Sequence, residues 1–323
     1  MNILHDLKTS LRIPVIGAPM YIASNPTLVV AQCTAGIVGA FPALNARPKE
    51  DLTRWITGIK ESLAAYQEQY PERLVAPFAV NQICHQANDR LGHDMEICVD
   101  HEVPIIITSL RPPADVIDAV HGYGGVVMHD VISVRHAEKA LEQGVDGLIA
   151  VTAGAGGHAG TINPLALIGE IRRFYDGPLA LSGAISTGDS ILAAEAMGAD
   201  FSYLGSRFLT AHEANVDEAY KQMVCDSAAQ DIVYTPAFSG VHGNYMAPSI
   251  EAAGFDLDKL DAMGKPTMEV KETPSDEPRA WRDIWSAGQG IGTIDKITPA
   301  AEIVAQLEFE YNAAKARLRT QEK

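Results

Sequence analysis

Long apolar runs and signal-like segments are missing from this 323-residue sequence. No apolar stretch approaches the roughly 20 residues that a helix needs to cross a bilayer. The opening residues, MNILHDLKTSLRIP, contain only short apolar stretches that charge interrupts, unlike a secretory signal peptide. These absences argue against an integral membrane protein, and we expect a cytoplasmic one.

Cysteine and positive charge are also scarce. The four cysteines include no C-x-x-C pair, so we expect reduced thiols and no disulfide framework. Lys and Arg total 25 against 41 Asp and Glu, which gives a formal charge of −16. This charge argues against a nucleic-acid partner and against an anionic membrane surface. It leaves a homodimer open, and any anionic ligand would need local help from backbone N–H groups.

Short apolar runs alternate along the chain with longer amphipathic ones. Eight of the apolar runs are typical of strands, at 13–20, 36–41, 74–81, 103–109, 125–131, 147–153, 178–185 and 201–208. Strands this apolar are buried on both faces, as in a parallel sheet. Eight strand–helix units over about 225 residues predict an α/β fold of the (β/α)₈ TIM barrel type. An open doubly wound sheet with an added domain is the alternative.

The alternation breaks near residue 229. The segment DIVYTPAFSGVHGNYMAPSIEAAGFD is rich in turn residues, and TPAAEIVAQLEFEYNAAKARL near the end has apolar residues at helical spacing. We therefore expect residues 1–228 to form the barrel and residues 229–323 to form a smaller, mostly helical addition. Its irregular part can cap the substrate site, and its C-terminal helices can pack on the barrel.

A glycine-rich stretch, GAGGHAG, follows the sixth predicted strand at residues 154–160. Its first six residues fit the G-x-G-x-x-G/A pattern of a dinucleotide-binding turn, in which the helix opens inside the glycines. Here the helix is expected to begin only near Pro164, because the residue before a proline disfavours the helical region. We therefore expect a longer barrel loop that presents His158 at the carboxyl ends of the strands, unless His158 is only a solvent-facing loop residue.

The seventh and eighth predicted strands both end in small residues. The seventh ends in LSGAI, with Ser182, Gly183 and Ala184, and the eighth ends in LGSRF, with Gly205 and Ser206. Each precedes a helix, and this pair of turns is the usual phosphate site of a TIM barrel. Alternatively, the small residues serve only tight turns. Together with the glycine loop, they indicate a phosphate-bearing planar cofactor across the barrel mouth.

The sequence lacks the residues that other kinds of TIM-barrel chemistry require. No predicted strand end supplies the lysine of a Schiff-base aldolase. Among possible metal ligands only His129 and Asp130 lie together at a strand end, and neighbouring strand residues point to opposite faces. The nucleotide-binding motif G-x-x-x-x-G-K-S/T does not occur. A barrel that binds a phosphate ligand without turnover stays open at this point.

Several motifs together resemble the nitronate monooxygenase family, formerly called 2-nitropropane dioxygenases. They are GAPM in the first strand, FAVN at the end of the third, AGGH, the SGAI and GSRF pair, SGVHGNYMAPSI and WRDIWSAGQGIG. The resemblance runs almost end to end. Enoyl-acyl-carrier-protein reductases that use FMN and some NADH:quinone reductases are similar, so the motifs are not specific to one reaction.

The resemblance implies an FMN-dependent barrel enzyme and assigns roles to residues of this chain. His158 matches the family's active-site histidine. The residues implied to bind FMN are Ala18, Pro19, Met20, Asn81, Gly156, Gly157, Ser182, Gly183, Ala184, Gly205 and Ser206. The implied reaction is oxidation of an alkyl nitronate, or of the nitroalkane itself, with O₂ to a carbonyl compound and nitrite. The alternative on the same scaffold is NAD(P)H-dependent reduction of quinones or enoyl thioesters.

This chain departs from its relatives near the implied cofactor. Many relatives have a Gln-Gly-x-Glu run before the histidine motif, where this chain places Val151, Thr152 and Gly154. A polar cofactor contact is therefore either lost or supplied by Thr152. Where some relatives have a lysine after the fifth strand, this chain has His129 and Asp130. A protonated His129 is one source of the positive charge that stabilises an anionic reduced flavin.

Two histidines have roles that the sequence leaves open. His242 sits where many relatives have proline, and it either faces the substrate or is an exposed loop residue. His158 either donates a hydrogen bond to the nitro group or abstracts a proton from a neutral nitroalkane. We expect the imidazole of His158 to titrate between pH 5 and 8, as an unperturbed histidine does.

Overall fold

Eight parallel strands form a closed barrel in the structure, a computed structural model that describes residues 3–111, 114–263 and 280–320. The strands of the described residues are β1 (Val15–Gly17), β2 (Gly39–Pro42), β3 (Phe78–Ile83), β4 (Ile105–Ser109), β5 (Val126–Val131), β6 (Gly147–Val151), β7 (Gly157–His158), β8 (Leu179–Ser182), β9 (Phe201–Leu204), β10 (Ile232–Thr235) and β11 (Gly243–Met246). The barrel order is β1-β9-β8-β6-β5-β4-β3-β2. A parallel bridge from Ile16 to Val38 joins β1 to β2. The predicted TIM barrel is thus confirmed, and the open sheet is wrong.

Helices follow the barrel strands. Those in the described residues are α1 (Ile3–Ser10), α2 (Pro26–Thr34), α3 (Asp51–Gln69), α4 (Leu91–Asp100), α5 (Ala114–Gly122), α6 (Val134–Glu142), α7 (Pro164–Ile171), α8 (Gly188–Met197), α9 (Ser206–Leu209), α10 (Glu218–Asp226), α11 (Ala247–Ala252) and α12 (Ala300–Thr320). Ser133 and Thr187 cap α6 and α8 by accepting backbone N–H bonds. As predicted, α7 begins at Pro164, so the glycine loop is not a dinucleotide turn. Among the described helices, none has the length and apolar character needed to span a membrane.

Apolar side chains fill the barrel interior below its mouth. Inward-facing strand residues such as Ile107 and Ile149 form one buried cluster with Leu4 and Leu7 of α1. A Cβ at Gly147, the first residue of β6, would lie 3.1 Å from the Leu4 side chain, which places α1 at the amino ends of the strands. This end of the barrel is therefore packed, and the space for a ligand lies at the opposite, carboxyl end.

The last helix belongs to the helical layer of the barrel. Ile303 and Leu307 of α12 are buried in one cluster with Leu28 of α2 and Ile191 of α8. The cluster also contains residues of β1 and β9, including Val15. The helix α12 therefore covers the junction between the first and last barrel strands, which is the usual place of the eighth barrel helix.

The described residues between α9 and α12, at 210–263 and 280–299, form a cap over the carboxyl ends of the strands. Within it, β10 and β11 pair as antiparallel strands, and β11 pairs in turn with β7 of the glycine loop. A mostly helical addition is expected from the sequence, and this three-stranded sheet is not. Its strands are two to four residues long, so their hydrophobic pattern is too short to stand out among turn residues.

Candidate active site

A cavity of about 1160 Å³ lies at the carboxyl ends of the barrel strands, beneath the cap. Every predicted site residue lines it: Ala18, Pro19, Met20, Asn81, Gly156, Gly157, His158, Ser182, Gly183, Ala184, Gly205 and Ser206. Parallel strands present their carboxyl ends at one face, which is why residues far apart in the chain meet here. Small-molecule sites usually measure roughly 300–1,000 Å³, so this cavity has room for a cofactor and a substrate together.

Three polar side chains form the floor of the cavity, where inward-facing positions of β3, β4 and β5 meet. Asn81 Nδ2 donates to Ile107 O at 3.1 Å and to Ser109 Oγ at 2.8 Å, and Ser109 Oγ donates to Asp130 Oδ2 at 2.6 Å. Asp130 Oδ1 is buried and has no hydrogen-bond partner among the described residues. Burial raises the pKa of Asp130 to about 6, and the Ser109 hydrogen bond opposes this rise.

The two predicted phosphate turns are neighbours, because β8 pairs with β9. Gly183 has φ +154°, and a Cβ there would lie 2.1 Å from Thr152 Oγ1. Gly205 differs, since a Cβ there would make only ordinary contacts, 3.6 Å from Ala18 Cβ and 3.7 Å from Met20. Packing within the protein therefore requires glycine at 183, whereas packing alone does not exclude a Cβ at 205.

The glycine loop is clamped between the barrel and residues 286–290 of the cap. Gly157 N–H donates to Ser286 Oγ at 2.8 Å, 129 positions away in the chain. A Cβ at Gly156 would lie 3.0 Å from Gly288 N, which is tighter than most real Cβ contacts. The glycine at 156 thus allows two backbone segments to approach each other, in addition to any role toward a cofactor.

His158 is held by a hydrogen-bond network of the cap. Its Nε2 lies 3.0 Å from Ser239 Oγ, which donates to Val241 O at 2.9 Å and accepts from Tyr245 OH at 3.2 Å. A hydroxyl has one proton to donate, so Ser239 accepts from His158, and Nε2 carries the imidazole proton. The ring also meets Trp281 edge-on, with 5.1 Å between centroids.

The charge state of His158 differs from the sequence expectation. Burial lowers its pKa to about 4, so the imidazole is neutral near pH 7 and the expected titration between pH 5 and 8 is wrong. A neutral ring with its proton on Nε2 leaves Nδ1 with a free lone pair. His158 is thus equipped to accept a hydrogen bond or a proton through Nδ1, and its only N–H is already engaged by Ser239.

Backbone strain concentrates around the same cavity. Four non-glycine residues with positive φ line it: Ile22 at +66°, Leu110 at +75°, Ala184 at +53° and Trp281 at +65°. Such conformations cost of order 1–3 kcal/mol each and persist where the surrounding structure imposes them. They are most unfavourable for a β-branched residue such as Ile22. Strain of this kind clusters at ligand sites, and these four residues of the described chain surround a single cavity.

The structure shows the surroundings of three side chains whose roles the sequence leaves undecided. Thr152 is fully buried and its hydroxyl donates to Ser182 O at 2.8 Å, so it offers no polar contact to the cavity. Burial lowers the pKa of His129 to about 4, so this residue is neutral and is not the expected source of positive charge. His242 is exposed at the cavity rim, where its ring stacks on Tyr234 at 5.0 Å between centroids.

Sequence reasoning expected a cap but missed the cap residues that hold the site together. Ser239 lies in the SGVHGNYMAPSI motif, and Ser286 and Gly288 lie in WRDIWSAGQGIG, yet these three residues were assigned no role. Gly288 N–H donates to Ser206 Oγ at 2.8 Å, which ties the cap to a predicted phosphate turn. The available signal was the density of small and polar residues in these motifs. Nothing local indicates which distant loop they contact.

The fold and the site together define the class of protein. A closed (β/α)₈ barrel with a polar-floored cavity at the carboxyl ends of its strands is typical of a TIM-barrel enzyme. The family model described as nitronate monooxygenase matches residues 4–310 of this chain. The chain therefore belongs to the nitronate monooxygenase family and is an oxidoreductase, as the sequence analysis predicted.

Individual relatives agree with this family. A nitronate monooxygenase of Paraburkholderia phytofirmans is 28% identical, covering 95% of this chain and 94% of the relative. A nitronate monooxygenase of Neurospora crassa is 26% identical over 94% of this chain and 90% of its own length. Among solved structures, FabK from Thermotoga maritima has a TM-score of 0.78 at 23% identity, covering 99% of each chain. Nitroalkane oxidase from Streptomyces ansochromogenes has a TM-score of 0.72 at 21% identity, covering 97% of this chain and 99% of that one.

Proposed function

We propose that this protein is an FMN enzyme that oxidises alkyl nitronates with O₂ to a carbonyl compound and nitrite. The proposal rests on family membership and on one observation, the gathering of the floor, the glycine loop, both small-residue turns and His158 around a single cavity. When bound, the flavin supplies the redox chemistry by taking electrons from the substrate and passing them to oxygen. The relatives from P. phytofirmans and N. crassa carry the name of this activity, which supports the substrate class.

The residues present fit a planar cofactor that ends in a phosphate. At one side, the turns at Gly183 and Gly205 line the cavity with backbone that carries no side chain, as a phosphate cradle requires. At the other side, Asn81 already donates both amide hydrogens to protein acceptors. Its Oδ1 and the Asp130 Oδ1, which has no partner among the described residues, are therefore the acceptors available to a ligand. Ring N–H and hydroxyl groups complement such acceptors. The turns would hold the phosphate, and the floor would hold the ring or the sugar-alcohol chain.

His158 would serve as the base when the substrate is a neutral nitroalkane. Its free Nδ1 can accept the proton from the carbon beside the nitro group, and its neutral state at pH 7 keeps that lone pair available. Donation to the nitro group is the less supported role, because Nε2–H is directed to Ser239. A preformed nitronate has already lost this proton and does not need the base.

A second function is NAD(P)H-dependent reduction of a quinone or an enoyl thioester on the same flavin. The observation in its favour is a pair of cations at the cavity mouth, Arg111 and Lys139, with His136 also lining the cavity. All three are exposed, and within the described parts of the chain none has an ion-pair partner. Cations placed like this in an acidic protein suit the phosphates of a nucleotide substrate.

Anaerobic reduction of the purified protein separates the two functions. We expect a yellow protein that ethylnitronate bleaches much faster than NADH or NADPH at equal concentration. Rapid bleaching by a reduced nicotinamide, with colour restored by a quinone, would assign the protein to the reductases. As a test of the cofactor site, Gly205→Asp adds a carboxylate at the cradle on a Cβ that makes only ordinary contacts. This variant should fold and remain colourless.

A further inference from the structure

Asp130 is the only acid that lines the cavity among the described residues. It faces into the barrel mouth from β5 and is anchored by a single hydrogen bond, from Ser109 Oγ to its Oδ2. Its Oδ1 is inaccessible to solvent and has no partner in the described chain. A buried acceptor without a partner costs roughly 1–3 kcal/mol, and more when it is charged. This cost would be relieved by a ligand that donates a hydrogen bond at this point.

No nearby cation compensates the Asp130 carboxylate. No ion pair found among the described residues includes it, and the adjacent His129 is neutral. Tyr203, which feels the charge of Asp130, is itself buried and keeps its proton. Arg111 and Lys139 also line the cavity but are exposed at its mouth, where water and salt screen their charges. The floor is therefore electrostatically negative whenever Asp130 is ionised.

We propose that Asp130 is a flavin-binding residue that accepts a hydrogen bond through Oδ1 and makes the site favour oxidised over reduced FMN. The inference rests on the proposed function, since it requires FMN in this cavity. Asp130 is connected to Asn81, a predicted cofactor contact, through Ser109, so both acceptors face the same ligand. Reduction adds negative charge to the flavin ring, and a fixed carboxylate nearby opposes that charge. A neutral residue at position 130 removes this opposition.

The isosteric variant Asp130→Asn tests the inference on the holoenzyme. Asparagine keeps an oxygen for the Ser109 hydroxyl but presents an N–H₂ group where Oδ1 accepts. We expect oxidised FMN to bind about tenfold more weakly, and the ratio of reduced to oxidised affinity to rise about tenfold. The second change corresponds to a flavin reduction potential about 30 mV less negative. The potential is measured by dye equilibration, and the dissociation constant by flavin fluorescence on reconstitution.

Two further variants make the outcome decisive. Asp118→Asn on the exposed face of α5 is the matched control and should leave both quantities unchanged. Ser109→Ala removes the hydroxyl that donates to Asp130 Oδ2, so the carboxyl is more readily protonated and the potential should move in the same direction by a smaller amount. The Ser109→Ala variant also tests the inference if Asp130→Asn fails to fold. Flavin bound with wild-type affinity and potential in these floor variants would overturn the role of Asp130, whereas a wild-type protein without flavin would overturn the proposed function.

Discussion

At the scale of single residues, His158 illustrates how a neighbour decides which nitrogen of an imidazole is available. Its Nε2–H is taken by Ser239, whose own proton goes to Val241 O. Desolvation keeps the ring neutral, so Nδ1 is a base that needs no deprotonation at pH 7. The chemistry of the site therefore depends on a cap residue that is 81 positions away in the chain.

Replacement of His158 by asparagine should separate proton abstraction from nitronate oxidation. We expect kcat/KM for nitroethane to fall by roughly 10²–10⁴-fold, because asparagine has no basic nitrogen. Turnover of ethylnitronate should stay within about tenfold of wild type, since that substrate has already lost its proton. Steady-state kinetics on both substrates checks this, with FMN content read from absorbance.

The Ser239→Ala variant provides the control at this scale. It removes the acceptor for Nε2–H without touching the imidazole, so we expect a smaller loss on nitroethane than in His158→Asn. Equal losses on nitroethane and ethylnitronate in the His158 variant would show that the histidine contacts both substrates and is not a base. Unchanged rates on both substrates would show that His158 is a loop residue without a catalytic role.

At the scale of elements, the contact between α12 and α8 is unusually close. A Cβ on Gly188, the first residue of α8, would lie 2.1 Å from Tyr311 N and 2.5 Å from Glu310 of α12. The Gly188 N–H also donates to Glu310 Oε2 at 2.8 Å. The last helix can complete the helical layer of the barrel in this position only because residue 188 has no side chain.

Two glycine-to-alanine substitutions should therefore have opposite effects on stability. Gly188→Ala must push α12 away, and we expect the free energy of unfolding to fall by about 1–3 kcal/mol, as for other overpacked sites. Gly169→Ala in α7 meets nothing within 4 Å and should raise it by about 0.5–1 kcal/mol through helix propensity. Urea denaturation of both variants measures these changes. A neutral or stabilising Gly188→Ala would show that α12 does not lie against α8 as described.

At the scale of the whole molecule, buried titratable groups make stability depend on pH. The pKa values of His129 and His158 are about 4 in the folded protein, below the ordinary 6.5, so the unfolded chain takes up these protons first as the pH falls. Each histidine should cost about 2 kcal/mol of stability between pH 7 and pH 5. Asp130 acts in the opposite sense, because its pKa of about 6 lies above the ordinary 3.8. Its protonation should add about 1 kcal/mol of stability between pH 7 and pH 5.

We therefore expect the protein without ligand to be about 3 kcal/mol less stable at pH 5 than at pH 7. Urea unfolding at the two pH values measures this difference. In His129→Gln the difference should shrink by about 2 kcal/mol, whatever the absolute stability of that variant. A wild-type protein equally stable at both values would contradict the burial of these groups.

Local patterns in the sequence determined most of the secondary structure. Each predicted strand overlaps an observed barrel strand, and the helix after the glycine loop begins at Pro164 as expected. Such features depend on periodicity, proline and capping residues, which act over a few positions. The residues assigned to the cofactor were implied by the family resemblance, whose motifs lie at or just after strand ends, and a parallel barrel brings strand ends to one face.

Only the tertiary structure decided the electrostatics of the site and the role of the cap. The neutral state of His158, the neutral state of His129 and the partnerless oxygen of Asp130 follow from burial, which no local pattern encodes. The pairing of β7 with β11 and the clamp from Ser286 to Gly157 join segments that are far apart in the chain. Their partners are selected by packing of the complete fold, because many distant loops have the same small and polar composition.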